Sequence, residues 1–150
     1  MLFRSSRAVD LHRALVADFP GVPTHRYDLA ASWNWLGRHR AKAKRYTDAA
    51  AAFGESVALL DRLAAEFPDR PDYPGSAGDT LANLSRLARD RGDKAEGRRL
   101  WQEALKKYRA ALDIDPAADR YREKIRREFG IPAEPPGRPP GDIEAPDGSP

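Results

Sequence analysis

Shifted by 48 residues, the chain comes into register with itself. Leu15-Val-Ala-Asp-Phe19-Pro20 overlies Leu63-Ala-Ala-Glu-Phe67-Pro68, which overlies Ala111-Leu-Asp-Ile-Asp115-Pro116. The register holds without a gap for Pro23 and Pro71, Leu36 and Leu84, Arg38 and Arg86, and Glu55 and Glu103. A third copy continues it, with Tyr121 after His25 and Tyr73, and Phe129 after Trp33 and Leu81. A fixed period of this length marks a stacked array of supersecondary units, each too small to bury its apolar face alone. Such arrays offer a surface more often than a reaction.

Apolar spacing within the period is helical throughout. Val9, Leu11, Leu15 and Val16 mark a helix over 5–18 that ends at Phe19-Pro20. Pro23 is a favourable first helical residue, and Leu29, Trp33 and Leu36 give the helix 24–42 one apolar face. Tyr46, Ala49, Phe53, Val57, Leu60 and Leu63 trace the clearest stripe, over 46–66. Pro74-Gly75 reads as a turn, with Ser76 and Asp79 as a capping box opening a helix over 77–90. Gly92 supplies a left-handed helix stop, and Asp93 with Glu96 forms a second capping box for a helix over 94–113. Tyr121, Ile125 and Phe129 make the inner side of a last helix, 117–129, closed by Gly130.

Residues 131–150 hold seven of the thirteen prolines and three glycines. Proline lacks the backbone donor and fixes φ, so a disordered Pro/Gly-rich tail is expected there. The tail carries Glu134, Asp142, Glu144 and Asp147 against Arg138, which leaves the body more basic than the net charge of +3 suggests. With no cysteine, disulfides and thiolate metal sites are excluded. No run approaches the ~20 apolar residues of a membrane helix, and charges interrupt the N-terminus where a signal peptide is apolar. The expected localisation is cytoplasmic.

The residues at these positions resemble the tetratricopeptide repeat, whose helix-turn-helix pattern wants a large apolar residue, Leu-Gly, a turn glycine, a small residue, an aromatic and a second small residue. The first copy has Trp33, Leu36-Gly37, Lys44, Ala49, Phe53 and Ser56, and the second has Leu81, Leu84-Ser85, Gly92, Gly97, Trp101 and Ala104. Lys44 departs from the pattern, and the period exceeds the usual 34 or so. Leu15 to Pro23 followed by Arg26 and Leu29-Ala30 looks like the long-helix arrays of planctomycete-type bacteria, often appended to serine/threonine kinases. The resemblance implies an all-α, antiparallel helix-turn-helix solenoid. Its domain would cover 1–130: a partial repeat 1–20, repeats 21–68 and 69–116, and a terminal helix 117–130.

In this family the first helix of each pair lines a concave groove, so the resemblance points to Asn34, Arg38, Lys42, Arg86 and Arg89 as partner-binding residues. Arg38 and Arg86 share a register position, and two guanidiniums side by side suit a carboxylate or phosphorylated segment. Solvated surface arginines are the competing reading. The cationic run Arg38 to Arg45 sits at a helix C-terminus, where the dipole favours cations, and no stacking aromatics interleave it as in a nucleic-acid binder. Trp35 falls off the core stripe and is a further binding candidate, with packing on a neighbouring repeat as the alternative. His12, His25 and His39 lack ligand spacing, and no nucleophile-elbow or kinase motif occurs, so no metal, cofactor or catalytic residue is expected.

The expected function is non-catalytic protein-protein interaction with an acidic peptide or protein partner, without membrane or nucleic acid. Self-association through the partial terminal repeats is a further expectation. The alternative is a regulatory or structural segment of a split kinase-like protein without its own ligand.

Overall fold

A computed structural model describes residues 2–130, with side-chain surroundings from Ser6 onward; the expected tail lies outside the described residues. Six helices follow one another: α1 (Leu2–Asp18), α2 (Pro23–Lys42), α3 (Tyr46–Glu66), α4 (Asp72–Asp90), α5 (Lys94–Ile114) and α6 (Asp119–Phe129). Each packs chiefly on its neighbours in sequence, and α2 also touches α4. The described residues are all-helical, as the periodicity predicts.

The helix ends repeat with the sequence. Phe67 and Asp115, one period apart, both close a helix with φ −130° and an N–H returned to Leu63 or Ala111. Each precedes a proline, which pushes the preceding residue out of the helical region. The α2–α3 and α4–α5 turns match in the same way. Arg45 N–H reaches the Arg40 carbonyl and Asp93 N–H the Ala88 carbonyl, both at 2.9 Å. This six-to-one bond needs a left-handed residue just before its donor. Gly92 provides it with φ 86°, and Lys44 provides it with φ 58° despite its Cβ. The turn that carries lysine where its register partner carries glycine therefore keeps the glycine-type cap.

The start of α4 departs furthest from the predicted bounds. Helix α4 begins at Asp72, a turn and more before Ser76. Pro74 lies in the first turn, where backbone N–H groups have no helical acceptor, so the proline costs nothing there. Ser76 is consequently inside the helix and caps nothing; its hydroxyl meets Tyr27 instead. The second capping residue behaves as expected, with Asp93 Oδ1 accepting from Glu96 N–H at 3.0 Å.

Packing is continuous from helix to helix along the chain. Val9, Leu29, Leu36 and Ala52 join α1, α2 and α3; Ala30, Leu60 and Ala77 join α2, α3 and α4. Ala49, Phe53 and Leu87 carry the core on. The largest cluster surrounds Trp101 and Tyr108, where Phe129 stacks 4.4 Å from the Trp101 ring. Each of these large side chains contributes roughly 1.5–3 kcal/mol by leaving water. Small residues set the helix spacing. A Cβ on Gly37 would lie 2.6 Å from the Phe53 ring, so only glycine admits that aromatic.

Candidate functional site

The close approach of α2 and α4 leaves a cleft between them, floored by α3. Its cavity volume is about 70 Å³, open on one side to solvent, and it is lined by Tyr27, Ala31 and Asn34 from α2, Ser56 and Leu60 from α3, and Ser76, Asp79 and Thr80 from α4. Small side chains on all three helices make this space, and hydroxyls furnish it. Tyr27 Oη meets Ser76 Oγ at 2.9 Å. Thr80 Oγ1 donates to the Ser76 carbonyl, and the buried Ser56 hydroxyl lies 3.3 Å from Thr80 Oγ1.

A polar relay runs outward from Asn34 at the edge of the cleft. Asn83 Nδ2 donates to Asn34 Oδ1 at 2.9 Å, and Asn83 Oδ1 accepts from Arg86 at 3.1 Å. The same guanidinium reaches Glu128 Oε2 on α6, also at 3.1 Å. The first helix of each register unit is thus tied to the next by side chains facing the same side.

Asp79 is the charged group of the cleft. It accepts from Tyr108 Oη at 2.6 Å and pairs with Lys124 Nζ. Burial pushes the Tyr108 phenol well above the usual tyrosine range, and the Asp79 carboxylate beside it adds to the effect. Tyr108 is therefore a fixed hydrogen-bond donor that holds Asp79 in place, with no proton to exchange near neutrality. Nearby, burial pushes the Tyr121 phenol up to about 12, with Arg120 opposing the shift.

The residues predicted from sequence fall in different settings. Asn34 lines the cleft, and Arg86 joins it through Asn83. Arg38 is exposed and lies 4.6 Å over the ring of Trp35, itself 55% exposed, while Arg86 is turned to Asn83 and Glu128. Lys42 and Arg89 are exposed near the ends of their helices. Tyr27, Asn83 and Glu128 carry no sequence signal of their own, and Ser76 and Asp79 read from sequence as helix caps rather than as cleft residues. Asn83 escapes because it stands 49 rather than 48 positions after Asn34, where the register offers Ala82.

No three His, Cys, Asp or Glu side chains converge among the described residues. His12 Nδ1 meets Ser32 Oγ at 2.8 Å, but no carboxylate hydrogen-bonds to the imidazole among the described residues. The pair ties α1 to α2 in the manner of an ordinary structural hydrogen bond. No described helix is long and apolar enough to cross a membrane. Comparison with protein-family models, with curated proteins and with solved structures gave no match.

Proposed function

We propose that this chain is a non-catalytic protein-interaction module, a tetratricopeptide-like array of long helix pairs that holds an extended peptide in the cleft between α2 and α4. Neighbour-to-neighbour packing and the paired left-handed caps support the repeat reading. The observation that carries the binding reading is the furnishing of the cleft: hydroxyls, Asn34 and one carboxylate around the apolar floor of Leu60. Peptide backbone amides and carbonyls need such a mixture of donors and acceptors, and a few placed polar groups over an apolar base give orientation.

The charge preference is narrower than two free guanidiniums would give. Arg86 already shares its charge with Glu128, so an acidic peptide side chain has to displace that carboxylate to reach it. Arg38, lying over Trp35, offers a flat cationic surface to the same kind of group.

The test is selection of short peptides on the wild-type chain, followed by titration of the winners against Asn34→Ala and Arg38→Glu/Arg86→Glu. A tenfold or greater weakening by each variant is expected, with helicity retained and the melting temperature lowered by no more than a few degrees. Equal affinity for all three proteins would remove the cleft assignment. Failure to select any peptide would favour a structural segment without its own ligand.

A further inference from the structure

The topology collects cations at one end of the molecule and leaves them unpaired. Ala41 and Tyr46, flanking the α2–α3 turn, pack with Ala49 and Phe53 against Leu87 near the end of α4. The α2–α3 and α4–α5 turns therefore share one end of the array. Lys42 and Lys44 lie at the first turn, Arg89, Arg91 and Lys94 at the second, and all five are exposed. None of the five side chains has a hydrogen-bond or ion-pair partner among the described residues, and three of the acids at these turns are engaged elsewhere. Asp48 is taken by Arg45, Asp93 caps α5, and Glu96 holds Arg99. Ion pairs between helices concentrate toward the other end, as in Arg26–Glu66, Lys107–Asp61, Arg120–Asp72 and Lys124–Asp79.

A second observation points the same way. Lys44 is the one non-glycine residue with positive φ among those described, although its register partner is Gly92. A side chain there strains the backbone, and strain that persists at an exposed position is a signature of use. What the lysine adds at this turn is a charge at the tip, between Lys42 and Arg45.

We infer that this end of the array is a second binding surface, which captures an acidic stretch of a protein partner. The surface is separate from the cleft between α2 and α4 and does not depend on it. An acidic protein segment fits better than nucleic acid because Asp48, Asp90 and Asp93 interrupt the cations. A duplex presents a charge about every 1.7 Å and cannot avoid them, whereas discrete carboxylates on a flexible chain can fall between them. Lysine and arginine on two separate turns also give point attraction rather than a continuous stripe.

The experiment uses the full chain and a fluorescent poly-glutamate peptide at low salt, with a duplex DNA of equal charge and vesicles of anionic lipid as parallel probes. Poly-glutamate should bind wild type with an affinity that falls as salt rises. Lys42→Glu/Lys44→Glu/Lys94→Glu should weaken it at least tenfold, while Asn34→Ala leaves it within twofold. Lys44→Gly is the diagnostic single change. It should raise the melting temperature by a few degrees and still weaken poly-glutamate about threefold, separating the binding role from stability. Lys44→Gly and the triple reversal both leaving affinity within twofold would overturn the proposal. So would tighter binding of the DNA or the vesicles than of poly-glutamate.

Discussion

Asn83 on α4 donates through Nδ2 to Asn34 Oδ1 on α2 at 2.9 Å, joining two helices 49 residues apart. The same Asn83 accepts from Arg86, so one amide spans the two helices and steadies a guanidinium. A half-buried amide pair of this kind contributes about 1 kcal/mol net. Removing one partner also leaves the other's polar group unsatisfied. Asn83→Ala and Asn34→Ala should each destabilise the chain by about 1 kcal/mol. The double variant should cost less than the sum, because the second change removes a group already orphaned. Urea unfolding of the four-member cycle measures this, and strict additivity would show that the pair is not coupled.

The α2–α3 turn offers a gain in stability. Lys44 has φ 58° and Gly92, at the corresponding position, has φ 86°. The left-handed conformation costs a side-chain-bearing residue on the order of 1 kcal/mol, which glycine avoids. Lys44→Gly should therefore stabilise by somewhat under 1 kcal/mol, since glycine also gains freedom in the unfolded chain. Gly92→Ala should destabilise by a similar amount. Thermal unfolding should shift by about 2–4 °C in opposite directions for the two variants. Shifts of the same sign would mean that the turns do not share one cap.

Sequence and structure agree most closely where local chemistry decides. Helix α3 is predicted over 46–66 and runs Tyr46–Glu66, because a proline-bounded apolar stripe leaves few alternatives. Helix α5 likewise opens at Asp93, whose side chain caps it. Helix α4 starts earlier than its composition predicts, because Pro74-Gly75 has turn composition whether it lies in a loop or in a first helical turn. The site was legible only in part. Several cross-helix partners stand one position off register: Tyr27–Ser76, Asn34–Asn83 and Asp72–Tyr121 are each 49 apart, since side chains lean along the helix before they meet, whereas the Arg120–Asp72 pair keeps the 48-residue spacing. Glu128 gave no periodic cue at all. Its register partners are Thr80 and Ser32, so nothing in the repeat announced an acid facing Arg86.

Gly37 tests the packing between paired helices. Alanine is about 1 kcal/mol better than glycine within a helix, so propensity alone favours Gly37→Ala. The new methyl would lie 2.6 Å from two atoms of Phe53, whose ring is 1% exposed and has no room to retreat. Overpacking of this sort costs about 1–3 kcal/mol. The net effect should be destabilising by about 1–2 kcal/mol, read as a lower urea midpoint with an unchanged slope. By contrast, Gly54→Ala meets nothing within 4 Å and should stabilise through propensity. If both alanines stabilise, the close approach of α2 and α3 at Phe53 is wrong.

Alkaline pH should loosen the α4–α6 contact. Burial raises the Tyr108 phenol above its usual range and pushes Tyr121 up to about 12, against about 10 for an ordinary tyrosine. The folded state therefore binds more protons than the unfolded chain once pH passes 10, and stability must fall with rising pH. Below pH 10 both phenols are neutral in both states, so their contribution is complete and flat. Between pH 10 and 12 each tyrosine steepens the decline by up to about 1.4 kcal/mol per pH unit. The Tyr121 contribution is spent as pH passes about 12, and that of Tyr108 continues beyond. Lysine deprotonation occurs in the same window, so the informative comparison is wild type against Tyr108→Phe/Tyr121→Phe. The double variant starts less stable, having lost the 2.6 Å bond to Asp79, and should lose stability more gradually from pH 10 to 12. Urea unfolding at half-unit pH steps reads both slopes, and identical slopes would show that neither phenol is held neutral by the fold.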